Sequence, residues 1–127
     1  MGRKICFVGR SLTKTVEAAK SLGYIRLKQG DEIQLKELRN FNDRNLTLVV
    51  AGTQGQETSA LTRIASGEHR DIKLRAQDTV IISADPIPGN EIPVYELINT
   101  IAREDVRVLY SDLTSDFHVS GHGSALE

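Results

Sequence analysis

Short apolar runs alternate with amphipathic segments along the chain. Four runs are nearly continuous in apolar residues and rich in β-branched ones, as in strands that are covered on both faces. They are Lys4–Val8, Leu46–Ala51, Thr79–Ser83 and Val106–Tyr110. Because strands that alternate with helices require right-handed crossovers, we predict an α/β fold. The expected architecture is a Rossmann-like three-layer domain with a mainly parallel sheet of about four or five strands.

Apolar residues recur at helical spacing between these strands and predict four helices, the second of them short. The positions expected to be buried are Leu12, Val16, Ala19 and Leu22 in the first helix, Ile33, Leu35 and Leu38 in the second, Leu61, Ile64 and Ala65 in the third, and Val94, Leu97, Ile98 and Ile101 in the fourth. The expected N-caps are Ser11 or Thr13, Asp31 and Asn90, and the expected stops are Gly23 and Gly67.

The composition is that of one soluble globular domain. The chain has 127 residues, of which 39% are hydrophobic and 26% charged. Sixteen basic residues against seventeen acidic ones give a net charge of −1. That balance excludes the strongly basic footprint of an autonomous nucleic-acid binder. Any contact with RNA or DNA is therefore expected to be local.

Cysteine usage and hydropathy indicate the compartment. The single cysteine, Cys6, lies in an apolar run and is expected to be buried, so no disulfide framework is possible. No apolar run reaches the roughly 18 residues of a membrane span, and no secretory leader is visible. We therefore expect a cytoplasmic protein without a membrane partner. Residues 125–127 are interpreted as the remnant of an affinity tag.

Polar and glycine-rich loops follow the predicted strands. In open α/β sheets, ligands bind beyond the carboxyl ends of the strands. The candidate phosphate contacts there are Arg10 and Ser11, then Gly52, Thr53, Gln54 and Gly55, then Asn90 and Glu91. Each loop has a plainer interpretation as a turn or a helix cap, and the Gly52–Gly55 segment matches neither a dinucleotide fingerprint nor a P-loop. We nevertheless expect the loops to converge on one edge of the sheet.

The tail from His118 to Ser124 concentrates imidazoles, hydroxyls and bare backbone amides, the groups that hold a phosphate or shuttle a proton. A spacing of four residues would let His118 and His122 share a metal on one helix face. Ser120 and Gly121 between them favour a loop, and hence an anion-binding pocket. The remaining histidine, His69, lies alone in a polar connector and is expected to have no role.

Taken together, these motifs resemble the β-CASP domain of ribonuclease J, within the metallo-β-lactamase superfamily of nucleic-acid hydrolases. The matching segments, in family order, are Gly2–Lys4, Val8–Ser11, Gly52–Gly55, Leu61–Ala65, Asp78–Ile81, Pro86–Glu91 and His118–His122. The last two are highly specific, whereas the glycine loops alone would not be. On this resemblance, residues 2–124 are the β-CASP domain.

The resemblance implies that this domain is inserted within the metallo-β-lactamase domain of a longer parent. Such a parent uses two zinc ions to hydrolyse RNA phosphodiesters, as an endonuclease and as a 5′-to-3′ exonuclease. The β-CASP domain would cover the metal site and form one wall of the RNA channel. By motif position, His122 would lie at the catalytic centre, with His118, Ser120 and Gly121 at the phosphate. The implied partners are RNA and the metallo-β-lactamase domain, and a homo-oligomeric parent is compatible with it.

Two departures from the family pattern qualify that expectation. Thr53 and Gln56 stand where the family loop commonly has a serine and an acid, which leaves any role of that carboxylate open unless Glu57 substitutes. The His-x-His-x-Asp-His metal motif is absent, and three histidines cannot build a two-zinc site. We therefore expect this fragment to hold no metal and to cleave nothing alone.

Two alternative functions lead to different expectations for these loops. A stand-alone α/β module could bind a nucleotide or another phosphorylated metabolite through loop glycines and helix N-termini, without a metal. A purely structural or dimerising domain would leave the loops scattered.

Overall fold

The computed structural model describes residues 2–83 and 86–110. Their elements, in chain order, are β1 (Lys4–Val8), α1 (Arg10–Ser21), two 3₁₀ helices (Leu35–Asn40 and Asp43–Asn45), β2 (Leu46–Val50), α2 (Ala60–Ala65), β3 (Thr79–Ile82), α3 (Glu91–Ala102) and β4 (Arg107–Tyr110). The described residues form two compact units, which divide between Ala51 and Gly52; the first unit is the part of the chain up to residue 51 and the second the part from residue 52. All four predicted strands are confirmed, each within a residue of its predicted ends.

In the first unit, β1 pairs on both of its edges. It runs parallel to β2, with Cα partners from Lys4 and Leu46 to Val8 and Val50. On its other edge, the Ile5 N–H donates to the Asp31 carbonyl at 2.8 Å. This central position explains why the β1 side chains Cys6 and Val8 are buried, as the continuous apolar run predicts.

The beginning of α1 differs from the prediction. Neither Ser11 nor Thr13 is the N-cap; Gly9 holds that position, with φ 125°, and no side chain caps the helix. The backbone N–H of Thr13 donates to the Gly9 carbonyl at 3.0 Å. The Thr13 hydroxyl instead bonds back to the Gly9 and Arg10 carbonyls, as hydroxyls inside a helix often do.

The end of α1 confirms the glycine stop. Gly23 adopts φ 80°, and its N–H donates to the Lys20 carbonyl at 3.1 Å, while the Tyr24 N–H donates to the Ala19 carbonyl at 2.9 Å. This pair of bonds is a Schellman motif. Leu22 was wrongly placed on the buried stripe: it is the C-cap and 70% exposed, because the chain turns away from the helix there.

Asp31 was wrong as the start of a helix. Residues 31–33 pair with β1 instead, where the Ile33 N–H donates to the Ile5 carbonyl at 2.9 Å. The helix that follows is a 3₁₀ helix whose N-cap is Gln34, in a capping box with Glu37. Of the side chains expected to be buried, Ile33 is buried and the two leucines at 35 and 38 are half-buried.

In the second unit, β3 and β4 are parallel, with Cα partners from Thr79 and Arg107 to Ile82 and Tyr110. The four positions predicted for burial on α3 are all buried, as are the three on α2. The core joins sheet to helix through Ile82, Val94, Ile98 and Tyr110. Each unit thus contains a two-stranded parallel sheet, which supports the α/β class; one sheet of four or five strands in three layers stays a prediction.

His69 has a structural role, contrary to expectation. Its Nδ1 accepts the backbone N–H groups of Asp71 at 3.1 Å and Ile72 at 3.2 Å. These bonds fix the turn that leads to Ile72, a buried residue. Burial lowers the pKa of His69 from its ordinary value, and the Arg63 guanidinium lowers it further, while Asp71 opposes both. The neutral imidazole is therefore the form that the fold needs.

The acceptor role of His69 predicts a pH dependence of stability. Because its folded pKa is lowered, its contribution is full above the unfolded pKa of about 6.5 and is lost as pH falls through the folded pKa. His69→Asn keeps an oxygen acceptor for the same N–H groups and cannot titrate. Urea unfolding should be measured from above pH 6.5 downward through the folded pKa. The free energy of unfolding should fall less steeply with decreasing pH for the variant than for the wild type. Parallel profiles would contradict the assignment.

Candidate nucleic-acid interface

Two of the candidate loops lie together in the second unit. The side-chain Oε1 of Gln54 accepts the backbone N–H of Ile87 at 2.8 Å, across 33 residues of sequence. Gln54 thereby links the Gly52–Gly55 loop, which follows β2, to the turn formed by Ile87–Asn90 before α3. The backbone amides of these two loops are therefore held near one another.

The Ile87–Asn90 turn is built from its proline and glycine. The Asn90 N–H donates to the Ile87 carbonyl at 2.8 Å, and Gly89 adopts φ 97° after Pro88, as in a type II turn. Glu91 Oε2 accepts the Gly89 N–H at 2.8 Å. Asn90 is the N-cap of α3 as predicted, although its side chain makes no cap bond. The Glu91 carboxylate thus holds the turn.

Gly52 and Gly55 are glycines for steric reasons that the structure shows. Both have positive φ, 112° and 75°. A Cβ on Gly52 would lie 2.4 Å from the Ser59 Cβ and Oγ, and one on Gly55 would lie 2.6 Å from the Pro93 carbonyl oxygen. The loop therefore packs directly on the first residues of α2 and α3, and only glycine fits at these contacts.

Ser59 is a residue of this region whose role the sequence did not reveal. It is the N-cap of α2, where its Oγ accepts the Thr62 N–H at 3.3 Å and donates to the Thr62 hydroxyl at 2.9 Å. The usual signature places Glu or Gln three residues after the cap, and here that position is a threonine. A search for any serine three residues before a hydroxyl at the start of an apolar stripe would have found it.

Arg10 and Ser11 lie in the first unit, exposed in the first turn of α1. The preceding Gly9 stands beside the end of β2: its Cβ would lie 3.2 Å from the Ala51 Cβ, and the Ala51 N–H donates to the Val8 carbonyl at 3.3 Å. The position after the carboxyl end of a parallel strand is as predicted.

The tail candidates His118, Ser120, Gly121 and His122 lie outside the described residues. Among the candidates within them, the structure brings Gly52–Gly55 and Asn90–Glu91 together and places Arg10 and Ser11 in the other unit. Convergence of all the loops, and the binding role of each residue, stay predictions.

The donor chemistry of the described residues does not fit a zinc site. Within residues 2–83 and 86–110, no group of three or more His, Cys, Asp or Glu side chains could hold a metal ion. Burial raises the pKa of the Cys6 thiol, and the nearby Glu32 and Glu37 raise it further. The thiol therefore stays protonated, whereas a zinc ligand must be a thiolate. His69 Nδ1 already accepts hydrogen bonds from two backbone N–H groups.

Within residues 2–83 and 86–110, every helix is too short or too polar to cross a bilayer.

Parallel strands alternating with helices and glycine-containing loops define an α/β domain. A sequence profile described as "Ribonuclease J, beta-CASP domain" matches residues 1–101. The chain belongs to the ribonuclease J β-CASP domain family.

Curated relatives match nearly the whole chain. Ribonuclease J 1 of Streptococcus pyogenes is 42% identical over 126 residues, which is 99% of this chain and 22% of the relative. Ribonuclease J of Synechocystis is 41% identical, over 98% of this chain and 19% of the relative, and that of Helicobacter pylori is 40% identical, over 98% and 18%. The chain thus spans about a fifth of the length of these relatives.

Proposed function

We propose that the chain is the RNA-channel and lid domain of a ribonuclease J-like enzyme that hydrolyses RNA phosphodiesters with zinc, as endonuclease and 5′-to-3′ exonuclease. The observation that carries this proposal is the family match over residues 1–101, in a chain that covers only about a fifth of its relatives. Residues 2–124 would be inserted within a metallo-β-lactamase domain of the parent, and the two parallel strand pairs would belong to one three-layer domain.

The division of labour follows from the residues that this chain offers. Zinc in the host domain would activate the attacking water. The β-CASP residues would bind and orient the RNA. Backbone N–H groups in the Gly52–Gly55 loop could approach a phosphate closely, because glycine leaves no side chain in the way. Arg10 would add a guanidinium, which pairs with phosphate in a bidentate manner, and Ser11 a hydroxyl.

Within the predicted set, Glu91 is best explained as a positioning residue. A carboxylate facing a phosphate would be repelled, whereas Glu91 Oε2 accepts the Gly89 N–H at 2.8 Å. Because Gln54 is bonded to the same turn at Ile87, both side chains would set the position of the loop amides. Thr53 and Asn90 would contribute direct polar contacts from the two loops.

The tail would complete the site. Ser120, Gly121 and His118 would hold the phosphate, and His122 would stabilise charge as it develops on the phosphate during cleavage. The contrasting function, a stand-alone nucleotide-binding module, needs no host domain. An RNA cleavage assay of the parent-length protein separates the two functions. Cleavage by that protein supports the channel domain, whereas a stand-alone module would have no host domain that cleaves RNA.

A further inference from the structure

The near-zero net charge conceals a strong division between the two units. Residues 1–51 contain ten Lys and Arg against five Asp and Glu, a net charge of +5. Residues 52–127 contain six against twelve, a net charge of −6, and the two values add up to the −1 of the whole chain. Apart from local contacts with the loop amides, net charge therefore favours binding of a polyanion to the first unit over the second. Any RNA surface outside the loops is expected in residues 1–51.

Tyr24 is the most exposed large apolar side chain in the first unit, at 80%. Its backbone is not loose, because its N–H donates to the Ala19 carbonyl at 2.9 Å within the Schellman motif that ends α1. At 80% exposure, the Tyr24 ring buries little apolar surface within the described residues. An exposed ring on a fixed backbone is the arrangement that single-strand-binding proteins use to stack a base.

The segment after Tyr24 alternates between exposed and half-buried residues. Tyr24, Arg26 and Lys28 are exposed, whereas Ile25 and Leu27 are half-buried. Alternating exposure is the pattern of an extended chain, in which every second residue lies on one side, about 6.6 Å apart at roughly 3.3 Å per residue. By this pattern of exposure, Tyr24, Arg26 and Lys28 are one exposed row.

A cavity of about 460 Å³ lies beside this row, with Arg26 and Lys28 in its lining. The one acid in that lining, Glu32, is paired with Lys20. Within the ranges 2–83 and 86–110, neither Arg26 nor Lys28 has an acidic partner within ion-pair distance. At the far end of the segment, Lys4 Nζ donates to the Gly30 carbonyl at 2.7 Å and fixes the loop. The two cations are left for a ligand.

We propose that Tyr24, Arg26 and Lys28 form a second binding site, for single-stranded RNA, separate from the loops that follow the strands. A base stacks on the Tyr24 ring, and the flanking phosphates contact Arg26 and Lys28. An acidic peptide would use the two cations but would leave the ring without a function, so the exposed tyrosine favours a nucleic acid. The site needs no metal and no 5′-phosphate.

The test measures binding of a 5′-hydroxyl, 3′-labelled polyuridine of about ten nucleotides to the 127-residue chain by fluorescence anisotropy, without metal. Tyr24→Ala should raise Kd about tenfold, the usual loss for one base stack, while Tyr24→Phe keeps the ring and should bind like the wild type. Since the side chain is exposed, both variants should melt at the wild-type temperature. Unchanged binding by Tyr24→Ala would overturn the proposal.

The charged pair has its own matched control. Arg26→Ala with Lys28→Ala should reduce the magnitude of the slope of log K against log salt by about 1.4, at roughly 0.7 per phosphate contact. Lys36→Ala with Arg39→Ala removes the same charge from two exposed positions of the 3₁₀ helix Leu35–Asn40 in the same unit and should change the slope little. Equal losses in the two double variants would indicate diffuse attraction and refute a defined site.

Polyglutamate provides the remaining arm of the test. If it displaces the RNA and binds equally well to Tyr24→Ala, the surface recognises an acidic protein, and the proposal is wrong. Because the oligonucleotide lacks a 5′-phosphate and no metal is present, none of these results depends on cleavage. Failure of this site would therefore leave the proposed nuclease function untouched, and failure of the nuclease function would leave this site standing.

Discussion

Replacing His122 by alanine in the parent-length protein should lower kcat by about 10²–10³-fold, the usual loss for one group that stabilises developing charge. Under the proposed function, the imidazole meets the phosphate mainly as charge develops on it, so RNA affinity should fall much less than turnover. Single-turnover cleavage at saturating RNA gives the chemical step, and anisotropy with a non-cleaved RNA gives the affinity.

His69→Asn is the matched control for His122→Ala. It removes another histidine of the same chain but keeps a hydrogen-bond acceptor where His69 Nδ1 binds two backbone N–H groups. Turnover should therefore remain at the wild-type level. Ser120→Ala should act differently from both, weakening recognition of the 5′ end and raising KM more than it lowers kcat. If His122→Ala turns over like the wild type, its catalytic assignment falls.

The second large effect is expected from Gly55→Ala, which should destabilise the fold by about 2–5 kcal/mol, the sum of a left-handed backbone penalty and an overpacking cost. The new Cβ would lie 2.6 Å from the Pro93 carbonyl oxygen and 2.7 Å from its carbonyl carbon, and these backbone atoms cannot rotate away. Relief requires the Gly52–Gly55 loop to move off the start of α3. Urea unfolding of the 127-residue chain measures the cost.

Gly67→Ala separates the two contributions to that cost. Gly67 has φ 80°, close to the 75° of Gly55, but a Cβ there meets no atom within 4 Å. Gly67→Ala should therefore lower the free energy of unfolding only by the backbone penalty, about 1–2 kcal/mol. In the parent-length protein, Gly55→Ala should also weaken RNA binding, because Gln54 would no longer hold the turn at Ile87 in place. Equal costs at the two glycines would contradict the close packing on Pro93.

The sequence predicted those parts of the fold that depend on local periodicity. The four strands and the buried faces of α2 and α3 were correct because short apolar runs and a 3.6-residue period report burial directly. The glycine stops at 23 and 67 were correct because the left-handed residue of a Schellman motif strongly favours glycine.

The errors have two causes, a long-range contact at Asp31 and the local backbone geometry at the two ends of α1. Asp31 was expected to cap a helix, but pairing of residues 31–33 with β1 competes for the same backbone groups. The N-cap is Gly9, with φ 125°, so the helix begins two residues earlier than a cap at Ser11 would place it and four earlier than a cap at Thr13 would. Leu22 matched the apolar stripe, yet the chain had already left the helix there.

The candidate site was predicted only at the level of which loops carry it. Its position after the strands follows from the α/β pattern, but its geometry rests on pairs that no spacing rule finds. Gln54 and Ile87 are 33 residues apart, and the contact of Gly55 with Pro93 joins two different loops. The charge division between the units became visible only with the boundary after Ala51, because the net charge of −1 sums over both units.

Cleavage of a 5′-monophosphorylated RNA, compared between the 127-residue chain and its parent-length protein at the same zinc or manganese concentrations, shows whether the host domain supplies the chemistry. We expect metal-dependent products from the parent-length protein, abolished by a chelator, and none from the chain alone above a buffer control. Chelator-sensitive cleavage by the chain alone, or a parent-length protein that cleaves nothing, would contradict the proposed function.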